Sequence, residues 1–426
     1  MTIPAGSLPA VKRPYLDAAE KAAAWIRAGA VQTLDGLAWP ADPRDRSSVN
    51  TTLYSGSPGV VLFFLEAYFL TGKKAYLRDA RAGADALLAA VPKEAGMGLY
   101  DGLEGVLFSL GEMSKATGDS KYQKGFLDGL ERLKASAAAK GAGVEWSSIT
   151  DIIGGGAGTG LFLIYAYHET KNPEWLELAA KAGTRLAELG QPEGGGLKWA
   201  MDPGYPRLMP NFAHGTAGVA YFLARLYQET KRPEFLAGAL AGAKYLLSVA
   251  DTEGDVCRVF HHEPGGQDLY YLGWCHGPVG TARLFYALSE ATKDPAWQGW
   301  VRKSANALLK SGIPEQEKPG FWNNDGICCG LAGVGEFFLG LAQAFGERSY
   351  RDFAARVTSR LLAKATIGDG KAFWVQAEHR ARPDFLVAQT GYMQGAAGIG
   401  MFLLRLEEDA RGRKALVLFP DTPFGR

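Results

Sequence analysis

Seven times along this chain a Gly-x-x-Gly step opens a strongly apolar run: at Gly56 and Gly59, Gly102 and Gly105, Gly155 and Gly158, Gly215 and Gly218, Gly277 and Gly280, Gly330 and Gly333, and Gly395 and Gly398. Successive first glycines are 46 to 65 residues apart, room for two helices and two loops, so the chain reads as one repeated unit. The runs that follow, such as VVLFFLEAYFL and TGLFLIYAYHET, are apolar nearly all round at their start, the pattern of helices buried on most faces. Between them lie stretches such as EWLELAAKAGTRLAELG and EFLAGALAGAKYLLSVA. Their apolar residues recur every three or four positions and leave a charged stripe for water.

Seven inner helices alternating with seven outer ones predict an all-α protein, an α/α toroid, because closing the ring covers the ends that an open superhelix exposes. The expected organisation is a single domain over residues 1–426, with a short N-terminal extension (about 1–14) and a C-terminal tail (about 410–426). On sequence alone the tail, RGRKALVLFPDTPFGR, can fold over the ring or recognise a peptide. The glycine turns then share one face, and glycine suits them by permitting positive φ and close backbone approach where helix starts converge.

Lys and Arg number 46 against 45 Asp and Glu, a net charge of +1, so no broad field draws the chain to nucleic acid or to an anionic membrane. The apolar runs fall short of the roughly 20 residues that span a bilayer, and the N-terminus has no signal-peptide core. A cytoplasmic protein is expected. Four cysteines are too few for a disulfide framework in a chain of this size, and the adjacent Cys328 and Cys329 are badly placed for an ordinary bridge. Metal ligation or thiol chemistry is the better use.

Cys275 in GWCHGPVG and Cys328 and Cys329 in GICCGLAG fall at equivalent ends of neighbouring repeats, where a ring brings them together. Zinc takes four tetrahedral ligands, and a catalytic site supplies three from the protein while keeping one position open. His276 follows Cys275 and is a candidate ligand or proton-transfer group. His214, directly before the fourth turn, is equivalent in register to His276, Cys329 and Gln394, and a histidine there can move protons near neutral pH. Asp151, four residues before Gly155, can orient a histidine or act on a proton, and Asp101 directly precedes its own turn. Helix capping is the readier explanation of both. Cys257 reads as a core residue, and His261 and His262 as an exposed loop ahead of a substrate contact. Trp146, Trp199, Trp274, Trp322 and Trp374 read as aromatic packing ahead of cavity lining.

Taken together, the seven turns, AHG in the fourth, WCHG in the fifth and a cysteine-led CxG in the sixth resemble the LanC-like proteins, the cyclases of lanthipeptide biosynthesis and their eukaryotic relatives, over nearly the whole chain from Tyr54 onward. The resemblance implies a toroid with Zn2+ in its central cavity that adds a peptide cysteine to dehydroalanine or dehydrobutyrine, forming a thioether. By motif, Cys275 and Cys328 match two zinc ligands, and Cys329 stands where many members carry histidine. His214 matches the catalytic histidine, and Asp151 the aspartate before the third turn. The Cys-Cys-Gly form resembles the three-cysteine site of a subset of bifunctional lanthipeptide synthetases, and His276 is as in the eukaryotic relatives. Tyr271 stands where nisin-type cyclases place an arginine, with Arg258 and Arg207 as candidate replacements.

No kinase or dehydratase domain fits in this length, so the dehydrated precursor peptide would come from a separate dehydratase. Two alternatives accompany this expectation: addition of glutathione to dehydroamino acids in damaged proteins, and a zinc-stabilised peptide-binding scaffold without turnover. An α/α-barrel glycosidase fits less well, since seven turns and a cysteine cluster replace the carboxylate pair that sugar hydrolysis needs.

Overall fold

The computed structural model describes residues 13–205, 207–316 and 324–424. Among them the chain forms helices α1 (Pro14–Ala28), α2 (Ser57–Thr71), α3 (Lys74–Ala90), α4 (Leu103–Thr117), α5 (Ser120–Ala135), α6 (Gly156–Thr170), α7 (Pro173–Leu189), α8 (Thr216–Thr230), α9 (Pro233–Val249), α10 (Pro278–Thr292), α11 (Ala296–Leu309), α12 (Leu331–Phe345), α13 (Arg348–Lys364) and α14 (Ala396–Ala410). The even-numbered helices are the inner layer; in α2, Val60 to Leu65 are buried on every side. Each pairs with the outer helix that follows it, and α14 takes α1, first in the chain, as its outer partner. Because α14 also packs on α2, the ring closes as the repeat predicts. The seventh outer helix thus begins at Pro14, and residues 1–12 of the expected extension lie outside the described residues. No described helix is long and apolar enough to cross a membrane.

The recurring TGDSKY and TKNPEW segments are a stop followed by a start. The inner helices α2, α4, α6, α8, α10 and α12 end in a left-handed residue, for instance Gly118 (φ 65°) and Lys171 (φ 56°), where glycine carries no Cβ penalty. Asp119 and Asn172 then accept from the N–H two residues on and cap α5 and α7, supplying one of the partners that a helix start lacks.

The turn glycines work differently from expectation. The glycine that caps each inner helix has negative φ, from −99° at Gly56 to −162° at Gly215, so positive φ is not what requires it. Close approach is. A Cβ on the cap Gly215 would overlap the Met209 carbonyl, and one on Gly218, the second glycine of the same turn, the Phe212 carbonyl, each six residues earlier.

These turns are stitched into a closed backbone belt. Tyr54 N–H donates to Tyr100 O (2.8 Å), Tyr100 to Ile153 (2.9 Å), Ile152 to Ala213 (3.2 Å), Ala213 to Cys275 (2.9 Å), Cys275 to Cys328 (3.2 Å), Cys328 to Met393 (2.9 Å), and Met393 back to Tyr54 (2.8 Å). The residue two before each first glycine therefore sits on one circle, and the residue after it follows in the same register.

Strands are few and local. Hairpins pair Ala138–Lys140 with Gly143–Glu145, Gln191–Glu193 with Gly196–Lys198, and Thr366–Gly368 with Lys371–Phe373. Each is followed by a tryptophan, Trp146, Trp199 or Trp374, whose indole N–H donates to the carbonyl of Leu133, Leu186 or Leu361 at the end of the preceding outer helix. These are packing residues, and Trp322 lies outside the described residues.

The C-terminal tail turns back into the bore. Leu416 and Val417 N–H donate to the Glu66 carboxylate of α2 (2.8 and 2.7 Å), and Phe419 stacks on Tyr392 with centroids 4.2 Å apart. Asp421 accepts from Tyr100 Oη (2.9 Å), Trp274 Nε1 (3.0 Å) and Arg283 Nη1 (3.0 Å). Tyr100 belongs to the belt and Trp274 adjoins it, so the tail reaches the floor of the turns from the opposite end. Asp421→Ala would leave the Arg283 guanidinium, 6% exposed, without its carboxylate, and a buried charge stripped of its partner costs about 3 kcal/mol or more. Urea unfolding of the variant should show that loss, and Asp421→Asn a smaller one.

Candidate active site

The belt decides which side chains meet. Cys275 and Cys328 occupy adjacent positions on it, and Cys329 follows. Cys329 Sγ lies 3.2 Å from both Cys275 Sγ and Cys328 Sγ, and the three ligand atoms fall within 4.8 Å of one another. All three cysteines are buried and none is bridged. Sulfurs at about 2.3 Å from a tetrahedral zinc stand roughly 3.8 Å apart, inside that spread, and a set of thiolates suits zinc rather than magnesium or calcium. The donor set fits the ion. By themselves the sulfurs share charge unevenly: hydrogen bonds from Cys275 and Cys329, then Tyr54 and the charge of His214, hold Cys328 well below the ordinary thiol range. Cys275 is pushed up by burial and by Cys328, and Cys329 by its bonds to the other two thiols. Cys257 stands apart, buried in the core and raised to about 12 by that burial.

His214 and Asp151 meet across two turns. His214 Nδ1 lies 2.6 Å from Asp151 Oδ2, while Gly154 N–H donates to Asp151 Oδ1 (2.9 Å). Asp151 is 1% exposed and does not cap α6, whose cap is Gly155. An ionised carboxylate only accepts, so Nδ1 carries the hydrogen and Nε2 is left for other chemistry. Burial lowers the His214 pKa, but the bond to Asp151, its charge and that of Cys328 outweigh it, and the net shift is upward from 6.5. Asp101 joins this pair. Burial and the Asp151 charge push it to about 6, against the pull of His214. Its register, one residue before a first glycine and shared with His214, His276 and Cys329, is the sequence signal that capping obscured.

His276 is buried, with ring centroids 4.1 Å from His261 and 5.5 Å from His214. Burial, then the neighbouring imidazoles, hold it well below 6.5, so it is a neutral ring. His261 is no mere exposed loop residue: it packs on Tyr271 at 4.3 Å and is lowered to about 4 by burial, His262 and Arg380. Of the two candidate replacement arginines, Arg258 pairs with Asp251 (2.7 Å) and lies over Tyr270, and Arg207 bears on this group through its charge on His261 and His262. Arg380, from the loop before α14, donates from Nε to the Tyr271 hydroxyl (3.3 Å). Sequence reasoning missed it because no spacing links residues 109 positions apart. A cavity of about 390 Å3 between Arg283, Phe337, Arg405 and tail residue Phe424 shares no residue with the thiol group.

Fold and site together define a closed α/α toroid with a three-thiol cluster and a carboxylate-paired histidine at its turn face. The profile described as "Lanthionine synthetase C-like protein" matches residues 47–419, and the chain belongs to that family. Among solved structures, nisin cyclase superposes with a TM-score of 0.67 at 16% identity, over 93% of this chain and 95% of that one. The GH76 α-mannanase BT2949 of Bacteroides thetaiotaomicron gives 0.54 at 10% identity over 93% and 96%. The Lin0763 protein of Listeria innocua gives 0.51 at 16% identity over 94% and 99%. At such identities the likeness is one of fold. No curated protein matches the sequence.

Proposed function

We propose that the chain is a zinc-dependent carbon–sulfur bond-forming cyclase that adds a cysteine thiol to dehydroalanine or dehydrobutyrine in a dehydrated peptide made by a separate dehydratase. The observation that carries this reading is the thiol cluster, within 4.8 Å, beside a histidine held by a buried carboxylate at 2.6 Å. Cys275, Cys328 and Cys329 would hold the ion. Bound zinc would supply a Lewis acid that lowers the pKa of an incoming thiol. The sulfur then bonds to the β-carbon while the double-bond pair moves toward the α-carbon as an enolate. His214, cationic through Asp151, donates its proton to that carbon. The neutral ring left behind takes the proton of the next thiol, so the addition is balanced without an oxidant or reductant. His276, neutral in its imidazole stack, lines the path beside His214. Free thiols suit a reducing compartment, in keeping with a cytoplasmic enzyme.

The test is metal analysis of the purified chain together with mass spectrometry of a dehydrated test peptide carrying a cysteine. About one zinc per chain and loss of the free thiol at unchanged peptide mass support the cyclase. A gain of one glutathione mass, with the internal cysteine untouched, would replace it by the glutathione reading. Zinc without any adduct would leave a scaffold, and a metal-free chain would sink the mechanism.

A further inference from the structure

We propose that Gln394 is a positioning residue for the metal ligands: its hydrogen bond to Cys329 draws charge off one of three thiolates, so that bound zinc stays acidic enough to ionise a substrate thiol. The inference rests on the metal-dependent reading above and adds a residue from the seventh turn.

The donor direction is dictated by two backbone groups. Gly326 N–H can only donate and bonds to Asn324 Oδ1 (3.0 Å), while Ala377 O can only accept and takes Asn324 Nδ2 (3.1 Å). The Asn324 amide therefore has one orientation. Its Nδ2 also donates to Gln394 Oε1 (2.9 Å), which turns the Gln394 amide nitrogen toward Tyr54 Oη (3.0 Å) and Cys329 Sγ (3.8 Å). Gln376 braces the chain from behind: its Oε1 accepts from Gly326 N–H (3.1 Å), and its Nε2 donates to the Gln394 carbonyl. Asn324, Gln376 and Gln394 are all buried, at 2% exposure or less. The polarity cannot relax by turning to water.

The chemistry needs such donors. Three thiolates on a divalent ion leave a net charge near −1, which opposes ionisation of a fourth thiol. Hydrogen bonds to ligand sulfurs offset that charge and fix the ligands. Gln394 stands in the register of His214, His276 and Cys329 but does not titrate, so its donation is constant with pH.

The test loads full-length wild type and Gln394→Met with Co2+ alone, then records sulfur-to-cobalt charge-transfer bands and chelator competition. The variant should bind one cobalt per chain with bands moved to lower energy and with affinity lowered roughly 10- to 100-fold. Unmoved bands overturn the inference, and so does an affinity loss without a band shift, which marks a purely structural role. Should Gln394→Met fail to fold, Gln394→Glu keeps the size and turns a carboxylate toward the thiolates. A cobalt affinity equal to wild type there also overturns the inference. Wild type lacking sulfur-to-cobalt bands overturns the metal reading, and this inference with it.

Discussion

Cys275→Ala is expected to reduce zinc from about one ion per chain to a few per cent, and to slow thioether formation by more than roughly 1,000-fold. A free thiol with a pKa of about 8.5 is only a few per cent ionised at pH 7, so metal-assisted ionisation accounts for about 30-fold. Holding the sulfur beside the acceptor carbon accounts for the rest. The ring should survive, because Cys275 meets Cys328 through backbone N–H and carbonyl at 3.2 Å and alanine keeps both groups. Melting without metal should therefore match wild type, and only zinc-linked stabilisation should vanish. Full zinc with lost activity would make Cys275 a reacting group rather than a ligand. Unchanged zinc and rate together would sink the site.

His214→Asn is the complementary case. It should leave zinc in place and lower the rate roughly 10²- to 10⁴-fold, the usual worth of a positioned acid or base. Since the His214 pKa is raised above 6.5 by Asp151 and Cys328, the acid form persists to higher pH than in a free histidine. The wild-type rate should fall on an alkaline limb lying above 6.5. Asp151→Asn removes the carboxylate at 2.6 Å and should move that limb to lower pH; a limb that stays put refutes the pairing. Stability carries the same sign: the pair's contribution is fully present below pH 6.5 and is lost as pH rises through the higher folded-state pKa. Zinc loss in His214→Asn would instead place the ring among the ligands.

The candidate site was legible to the extent that it is written in register. Cys275, Cys328, Cys329, His214 and His276 stand one or two residues before a first glycine, and the belt turns that register into proximity. Asp151 breaks the pattern, four residues before Gly155; its place before the turn made it a candidate, and family resemblance gave it a counterpart. Gln394 shared the register without suggesting a role, because its donation to Cys329 depends on Asn324, whose orientation comes from a carbonyl 53 residues away. Arg380 and Asp421 were invisible for the same reason. Their partners Tyr271, Tyr100 and Trp274 are 109 to 321 positions distant, and no local period encodes such a meeting.

By itself the sequence determined the repeat, the buried character of one helix in each unit, the face on which the turns gather and the identity of the thiols, because each follows from the local spacing of apolar residues, glycine and cysteine. Tertiary structure alone decided that the first helix completes the last repeat, that the tail fills the bore and holds Trp274 beside Cys275, and which donors point at which sulfurs. Those outcomes depend on closing the ring, which brings residues from opposite ends of the chain into hydrogen-bond distance and fixes the direction of donors that have no water to turn to.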